Sequence, residues 1–269
     1  MVNVTFVTAV KNIISMGRGD MLERCVKSVA DVRGSEHLVI DGGSLDGTVD
    51  FLDRLGKKYP RLRFVSEPDN GIYDALNKGV RLACGEWVHV LGCDDYILNA
   101  KAIERVLKEA SNPNCEIIIA PVEKEAGGRS INLKACLYSI PYCHQGALMK
   151  RTLFERLGGF DDSLKLAGDY DFTLRAHLGG AGYITLPYKF AYYATGGASC
   201  NWEKLHAEIS RVAARQFSLT PKETDHFDKT RCLPFRVIVP LLLHKKRIIR
   251  CGAAWQLLRN ILVIIGVKR

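Results

Sequence analysis

Zinc-site and disulfide patterns are absent from this sequence. It contains nine cysteines, an odd number, and they form neither a CxxC motif nor a Cys/His motif of zinc-ligand spacing. This pattern indicates reduced thiols of a cytoplasmic protein rather than a disulfide framework or a zinc site. The stretch MVNVTFVTAVKN has no basic start followed by a long apolar core and a cleavage site, so we expect no signal peptide. The glycine-rich stretch 41–48 matches neither a GxGxxG dinucleotide pattern nor a GxxxxGK(S/T) phosphate loop.

Acidic side chains are absent from the last part of the chain. Residues 229–269 contain ten Lys or Arg and no Asp or Glu, whereas residues 1–228 contain 28 basic and 29 acidic residues. The formal net charge of +9 therefore belongs to the C-terminal segment, and the rest is close to neutral. This distribution argues against a generally basic nucleic-acid-binding domain. It predicts that residues 229–269 contact an anionic partner.

The C-terminal segment also lacks an apolar run of the ~20 residues that a membrane-spanning helix needs. Pro240 and the basic residues 245–247 interrupt it. Beyond them, apolar residues recur every three or four positions, at Ile248, Cys251, Trp255, Leu258, Leu262 and Ile265. A stripe of this kind beside basic side chains predicts an amphipathic helix that lies on an anionic membrane surface. The alternative is a helix that packs its stripe on the body of the protein or on a second subunit.

Apolar strand-like runs alternate with segments of helical period over the first part of the chain. NVTFVTAV and EHLVIDGGS are of the first kind, and MLERCVKSVA and GIYDALNKGVRLAC are of the second. This order predicts an α/β fold with a mostly parallel central sheet and helices on both faces. In such sheets, ligands bind beyond the carboxyl ends of the strands, near the switch in strand order.

Two adjacent carboxylates follow the fourth strand, in VLGCDDYIL at 90–98. Asp94 and Asp95 repel each other at the end of an apolar run, and a divalent cation such as Mg²⁺ or Mn²⁺ would offset that repulsion. A solvated turn with Asp95 capping the next helix is the alternative. Asp41 follows the second strand and precedes two glycines that let a ligand approach the backbone, so its carboxylate can accept from a ribose hydroxyl or a base N–H; a plain turn is the alternative, and the motif in isolation favours it.

Six stretches together resemble the family 2 glycosyltransferases of the GT-A fold. In chain order they are VTAVKN, VIDGGSLDGT, SEPDNGIYDALNKG, GEWVHVLGCDD, CHQGALMKR and GGFDDSLKLAGDYDFTLR, within about residues 2–200. The resemblance implies a Rossmann-like GT-A fold and a nucleotide-sugar donor, usually with uracil as the base. It also implies a divalent cation, Mn²⁺ or Mg²⁺, as cofactor.

The resemblance assigns donor-side roles residue by residue. It implies nucleotide-sugar binding for Thr8, Asn12, Asp41, Asp74, Lys78 and Asp94. Asp41 would contact the base and Asp94 the ribose, while Asp95, together with Asp94, would hold the metal on the diphosphate.

Three departures from the family pattern bear on the donor. Ala9 and Lys11 stand where a proline and an aromatic residue are usual. Leu76 stands where many relatives have arginine, so that role is vacant or passes to Lys78, which leaves the base open. The aspartate motif is Cys-Asp-Asp rather than Asp-x-Asp, a common variant.

The acceptor-side motifs come later in the chain. Asp169 in GDYD matches the family's catalytic base, and Asp171 lies two positions on. His144 and Gln145 match a His-Gln pair on the acceptor side. The chemistry needs a base because an acceptor hydroxyl is a poor nucleophile until its proton is withdrawn. LAGDYDFTLRAHL predicts a helix with Asp169 in its first turn; a helix N-cap is the alternative for Asp169, and a buried, hydrogen-bonded histidine for His144.

These observations predict an inverting, metal-dependent hexosyl- or N-acetylhexosaminyltransferase. Residues 1–98 would bind the nucleotide sugar, 99–228 the acceptor, and 229–269 would form the basic amphipathic helical tail. The resemblance implies a polyprenyl-diphosphate-linked glycan acceptor in surface polysaccharide biosynthesis, such as lipopolysaccharide, at the cytoplasmic face of the plasma membrane, and no nucleic acid. The alternatives are a sugar nucleotidyltransferase, whose glycine-rich basic N-terminal loop is missing, and a non-catalytic nucleotide- or carbohydrate-binding module.

Overall fold

The computed structural model describes residues 3–110, 112–124, 131–132, 135–194, 201–244 and 247–264. The described residues form two compact units. The first unit draws on Met1–Ile131, Tyr142–Lys165 and Gly182–Thr195, and the second on Asn132–Pro141, Leu166–Ala181 and Gly196–Arg269. These units reflect compactness, whereas the predicted division into 1–98, 99–228 and 229–269 concerns ligands and stays a prediction.

The first unit contains all the strands found in the described residues. They are β1 (Val4–Val10), β2 (Ser35–Asp41), β3 (Leu62–Ser66), β4 (Trp87–Val90), β5 (Tyr96–Ile97), β6 (Ile117–Ile119), β7 (Ala147–Lys150), β8 (Tyr183–Thr185) and β9 (Ala191–Tyr192). Its helices are α1 (Gly19–Ala30), α2 (Thr48–Lys58), α3 (Ile72–Leu82), α4 (Ala100–Glu109) and α5 (Arg151–Leu157). A single 3₁₀ turn, His144–Gly146, precedes β7.

Seven of these strands form one sheet in the order β3-β2-β1-β4-β7-β6-β8. β1 pairs in parallel with both β2 and β4, β2 with β3, and β6 with β8, whereas β7 is antiparallel to β4 and β6. The predicted mostly parallel α/β sheet is therefore confirmed. The strand order reverses between β1 and β4, so the switch point lies beside the end of β4.

Every residue of β2 is buried, because helices cover both faces of the sheet. On one face, α3 approaches β1 so closely at Gly79 that a Cβ there would collide with Val7. On the other face, Val39 of β2 shares a core with Val26 of α1 and Leu52 of α2. Alternation along β2 separates these two cores, as the period of a strand requires.

The second unit is helical within its described residues. Its helices are α6 (Gly168–Leu178), α7 (Trp202–Phe217), α8 (Pro221–Thr230), α9 (Phe235–Leu242) and α10 (Arg247–Ile264). α8 begins with a capping box in which the Thr220 and Glu223 side chains and backbone amides pair reciprocally. Among the described residues, no helix is both long enough and apolar enough to cross a membrane.

The face of α10 that packs is not the apolar stripe predicted from the sequence. Its buried positions include Ile249, Ala253, Gln256 and Asn260, whereas Leu258 of the predicted stripe is 44% exposed. The tail forms two helices, α9 before the basic residues 245–247 and α10 over the stretch where the amphipathic helix was predicted. Lys245, Lys246 and Ile265, and the side chains of Arg247 and Ile248, lie outside the described residues.

Two amides on the buried face of α10 bind the connection between α8 and α9. The Gln256 side chain accepts a hydrogen bond from the Leu233 amide at 2.9 Å and donates one to the Arg231 carbonyl at 3.0 Å. Asn260 donates to the Leu233 carbonyl at 2.8 Å. Side-chain amides thus satisfy backbone groups that have no helical or strand partner.

Candidate functional site

One threonine of β1 forms hydrogen bonds on both sides of the strand at the switch point. The Thr8 hydroxyl of β1 donates to the Leu91 carbonyl, just beyond β4, at 2.8 Å. It therefore accepts from Nε2 of His37, 2.9 Å away on β2. Thr8 is fully buried, so its side chain joins three strands instead of lining an accessible surface. The predicted role of Thr8 in nucleotide binding can act only through the backbone that it positions.

Asp41 lies at the end of β2 and is also fully buried. Its carboxylate accepts hydrogen bonds from the Ser44 amide at 2.9 Å, from the Ser44 hydroxyl and from the Ser66 hydroxyl at 2.7 Å. These bonds fold the glycine-rich loop back onto the strand end. The carboxylate holds the loop in place, and the predicted contact with the base stays a prediction.

Asn12 shapes the loop that follows β1. Its backbone is left-handed, with φ +51°, and its amide donates to the Ser44 hydroxyl at 2.6 Å. The Asn12 side-chain oxygen accepts from the Leu45 amide at 3.3 Å. Asn12 is half-buried, and Leu45 is 98% exposed. The loops after β1 and β2 therefore support each other at one edge of the sheet.

Lys78 and Asp74 of α3 hold the loop after β3. The Lys78 ammonium donates to the Pro68 carbonyl at 2.7 Å and lies 3.1 Å from Glu67 and 3.6 Å from Asp74. Asp74 accepts from the Asn70 amide at 3.0 Å. The hydrogen bond with Glu67 and the neighbouring carboxylates raise the pKa of Lys78. Both residues thus order the loop at 67–71, and their predicted contacts with the nucleotide sugar stay predictions.

Asp94 and Asp95 converge on Gly92, at the end of β4. A Cβ placed on Gly92 would lie 2.5 Å from Oδ2 of Asp95 and 2.9 Å from Oδ1 of Asp94. Arg24 of α1 donates to the Asp94 carbonyl at 2.9 Å, and its guanidinium lies over the Tyr96 ring. Two carboxylates are therefore brought together over a position that only glycine leaves open.

The two carboxylates differ in accessibility. Asp95 is 1% exposed and accepts from the amides of Gly92 at 3.1 Å and Ala194 at 2.8 Å, and from the Gln145 side chain at 2.8 Å. Burial raises the pKa of Asp95, and the hydrogen bonds from Ala194 and Gln145 oppose that rise. Asp94 is half-buried and is the more accessible of the pair.

The donor set suits a divalent cation only in part. Oxygen ligands from two neighbouring carboxylates are those that Mg²⁺ and Mn²⁺ prefer. Within the described residues, no three His, Cys, Asp or Glu side chains form a group that could hold a metal ion. An ion at Asp94 and Asp95 would therefore complete its coordination with water and with phosphate oxygens of a ligand, which is the usual mode for Mg²⁺.

Gln145, predicted to contact the acceptor, lies in the core of the first unit. It is 4% exposed, and its side chain bridges Cys143 and Asp95. His144 is half-buried, so it remains accessible to a ligand.

In the second unit, Asp169 lies in the first turn of α6, as predicted. The helix begins at Gly168, so Asp169 is not its N-cap. Asp169 is half-buried and accepts from the Tyr170 amide at 2.8 Å. Asp171 is fully buried and pairs with Arg175 at 2.7 Å and with Arg215 of α7 at 2.6 Å. Asp171 thus joins α6 to α7, and the predicted acceptor contact stays a prediction.

Among the partners of these residues, Ser44 carried a signal in the sequence, whereas Ser66, Arg24 and Arg215 carried none. Ser44 lies within the motif that contains Asp41, and a polar residue there is readable as a turn partner. Ser66, Arg24 and Arg215 are ordinary surface-type residues in the sequence, and only the fold brings them to Asp41, Asp94 and Asp171.

Loops beyond the carboxyl ends of parallel strands, at a switch in strand order, are typical of α/β proteins that bind nucleotides. The sequence profile of Glycosyl transferase family 2 matches residues 12–158, which is more than half of the chain. The chain therefore belongs to glycosyl transferase family 2, and the resemblance inferred from its motifs is confirmed.

Relatives and solved structures agree with this assignment. A PGL/p-HBAD biosynthesis glycosyltransferase of Mycobacterium bovis is 33% identical over 166 residues, which cover 58% of this chain and 64% of that protein. The chain thus spans less than two thirds of the length of that relative. TarS 1–349 of S. aureus in complex with UDP-GlcNAc gives a TM-score of 0.67 at 15% identity, covering 99% of this chain and 76% of that one. A mannosyltransferase of Pyrobaculum calidifontis in complex with GDP-Man and Mn²⁺ gives 0.61 at 17% identity, covering 99% and 88%. These likenesses show the GT-A-type fold.

Proposed function

We propose that this chain is an inverting glycosyltransferase that moves a sugar from a UDP-sugar to a glycan acceptor. The observation that carries the proposal is the convergence of Asp94 and Asp95 on Gly92 beside the switch point. Membership of family 2 supports it, and so do the structural neighbours that bind UDP-GlcNAc and GDP-Man. On the donor side, Asn12 and Asp94 would contact the nucleotide sugar, while Thr8 and Asp41 would shape its loops.

The transfer needs one base and one face of attack. Asp169 would take the proton of the acceptor hydroxyl, whose oxygen then bonds to the anomeric carbon. The bond between that carbon and the diphosphate oxygen breaks, and its electron pair leaves with the nucleoside diphosphate. Attack on the face opposite the leaving group inverts the anomeric configuration. The ion pairs of Asp171 would hold α6 so that Asp169 keeps its place.

Asp94 and Asp95 would hold a Mn²⁺ or Mg²⁺ ion, which when bound supplies positive charge to the departing diphosphate. The mannosyltransferase neighbour that contains Mn²⁺ supports this cofactor. The half-buried Asp94 would be the more accessible to the ligand, and the buried Asp95 would add its negative charge to the site.

The test is thermal stabilisation by UDP, GDP and dTDP, each with Mn²⁺ and with EDTA. We expect a rise in melting temperature with UDP that requires Mn²⁺ and is lost in Asp94→Asn. Asp53→Asn, an exposed residue of α2, is the matched control and should behave like wild type. Asp94→Asn is preferable to Asp95→Ala, because Asp95 is buried and hydrogen-bonded and its loss would destabilise the fold.

Other outcomes would favour other functions. Stabilisation by UDP without any release of UDP from UDP-sugars would favour a non-catalytic binding module. Release of pyrophosphate from UTP and a sugar phosphate would identify a sugar nucleotidyltransferase. If none of the three nucleotides stabilises the protein, the proposal is contradicted.

We further infer a lipid-linked acceptor at an anionic membrane surface. Phe235 and Val239 of α9, and Leu243 just beyond its end, are spaced by four residues and are 45%, 54% and 84% exposed. Leu258 and Ile261 of α10 are also exposed. They belong to a segment, 229–269, with ten basic and no acidic side chains. Exposed apolar residues on a basic segment favour binding to anionic lipid, as at the cytoplasmic face of a plasma membrane, where polyprenyl-linked glycans would be reached.

Flotation with vesicles tests this inference. The protein should bind vesicles that contain phosphatidylglycerol and should bind pure phosphatidylcholine vesicles weakly. Changing both Val239 and Leu243 to Asp should abolish binding, while Met21→Asp, at an exposed apolar position of α1, should not. Equal binding by the two variants would show that α9 does not contact the membrane.

A further inference from the structure

Gln145 uses every polar atom of its side chain. Its Nε2 donates to Oδ2 of Asp95 at 2.8 Å, and its Oε1 accepts from the Cys143 thiol at 2.6 Å. Its backbone carbonyl lies 2.9 Å from Nε2 of His89, which is fully buried on β4. A carbonyl can only accept, so His89 carries its proton on Nε2 and donates it to Gln145. The 3₁₀ turn is thereby attached to β4.

Among the described residues that donate a hydrogen bond to the Asp95 carboxylate, Gln145 is the one that donates from its side chain. The other two are backbone amides, of Gly92 and Ala194. The Gln145 amide binds Oδ2, which is the oxygen that lies over Gly92 and faces the point shared with Asp94. Its loss would leave a buried carboxylate oxygen with a single backbone donor, and the carboxylate would be free to turn away from Asp94.

The geometry points to Gln145 as a positioning residue for the paired carboxylates, in place of the acceptor contact predicted from the sequence. The amide of Gln145, anchored by His89, fixes Asp95 so that the pair can take up a divalent cation. This inference rests on the proposed function for its biological meaning. Groups that orient metal ligands typically affect metal affinity by about 10- to 100-fold when they are removed.

The test compares Gln145→Met with wild type in two binding assays. Met keeps the length of the side chain and removes the donor. Mn²⁺ binding alone is followed by the loss of the free-ion electron paramagnetic resonance signal, and UDP binding is measured by calorimetry with Mn²⁺ and with EDTA. We expect Gln145→Met to raise the Mn²⁺ concentration for half-saturation by about 10-fold or more. Any UDP affinity that wild type keeps in EDTA should change by no more than about twofold in Gln145→Met, since Gln145 acts through the cation site.

Two controls separate positioning from a general loss of packing. Gln256→Met removes a buried glutamine of the second unit that makes two comparable hydrogen bonds. It should lower stability to urea without changing Mn²⁺ half-saturation. In the background of Asp95→Asn, adding Gln145→Met should have no further effect on Mn²⁺ binding, because the two residues act as one unit.

The outcomes are distinct for the two proposals. Unchanged Mn²⁺ half-saturation in Gln145→Met, or an equal effect of Gln256→Met, would overturn the role of Gln145. If wild type binds Mn²⁺ but no UDP under any condition, the proposed function fails, and the Mn²⁺ data alone still decide the role of Gln145. A wild type that binds neither would overturn both.

Discussion

Mild acid should destabilise this protein through two buried histidines. His37 and His89 lie in the core of the sheet, each with Nε2 in a hydrogen bond and with no partner for Nδ1 among the described residues. Burial lowers the pKa of His37 from 6.5 to about 3 and that of His89 to about 4. Below pH 6.5, the unfolded chain takes up a proton on each ring, while the folded protein does not until its lower pKa is reached. Stability is therefore lost as the pH falls from about 6.5 to about 4.

The size of the loss follows from these pKa values. At about pH 5.5, one pH unit below the unfolded pKa, each histidine contributes a loss of about 1.4 kcal/mol, or about 3 kcal/mol together. Asp95 works in the opposite direction, because its raised pKa makes the folded protein take up a proton before the unfolded chain does. The two buried histidines should therefore account for a loss of about 3 kcal/mol between about pH 7.5 and pH 5.5, to which the lowered pKa of His206 adds and from which the raised pKa of Asp95 subtracts.

Urea unfolding at a series of pH values measures this loss. The variant with both His37→Gln and His89→Gln keeps polar side chains that do not titrate, and each single variant should lose about half of the pH dependence. Comparing each protein with itself at two pH values removes the constant destabilisation of the substitutions. The reasoning is refuted if the double variant loses as much stability on acidification as wild type.

Three further predictions concern packing and the site. Gly79→Ala should destabilise the protein by about 1–3 kcal/mol, since α3 touches β1 at this position. Gly56→Ala, at an open position of α2, should be neutral or should stabilise by up to about 1 kcal/mol. Urea unfolding of the two variants measures this difference. Asp171→Asn should lower the free energy of unfolding by about 2–3 kcal/mol, because it breaks the two ion pairs of a buried carboxylate. Asp225→Asn, which breaks an exposed ion pair, should lower it by less than about 0.5 kcal/mol. Equal losses for the two variants in urea unfolding would contradict the role of Asp171. Gly92→Ala should abolish Mn²⁺-dependent stabilisation by UDP, because its methyl group would occupy the point on which the two carboxylates converge; a wild-type thermal shift would show that this point is not the ligand site.

Local sequence patterns predicted the sheet and the position of the carboxylates well. Each of the first four strands contains adjacent apolar residues, and polar or glycine residues follow within two positions of its end, so the placement of Asp94 and Asp95 at a strand end followed from the local pattern alone. The switch point needed only the order of the elements. Such features depend on neighbours along the chain, and these are what a sequence pattern records.

The partners of the site residues could not be predicted in the same way. Gln145 is 50 residues from Asp95, and Arg215 is 44 residues from Asp171. Their pairing depends on how distant elements pack, and glutamine or arginine alone has no characteristic spacing. The packed face of α10 could not be predicted for a related reason. Its packed side includes Gln256, which binds backbone groups and not other side chains, so apolar periodicity alone does not mark that side of the helix.

The amides of α10 have a consequence for how this chain can be shortened. Cys232 and Leu233 are fully buried, and the backbone of Arg231 and Leu233 is hydrogen-bonded by Gln256 and Asn260. Cutting the chain before α10 would leave those three backbone groups without partners, at about 1–3 kcal/mol each where they stay buried. A chain that ends before residue 260 should therefore be less stable than the full chain, although the matched family profile ends at 158. The described part of the tail packs within the second unit, so substitutions on its exposed side would leave these buried amides in place.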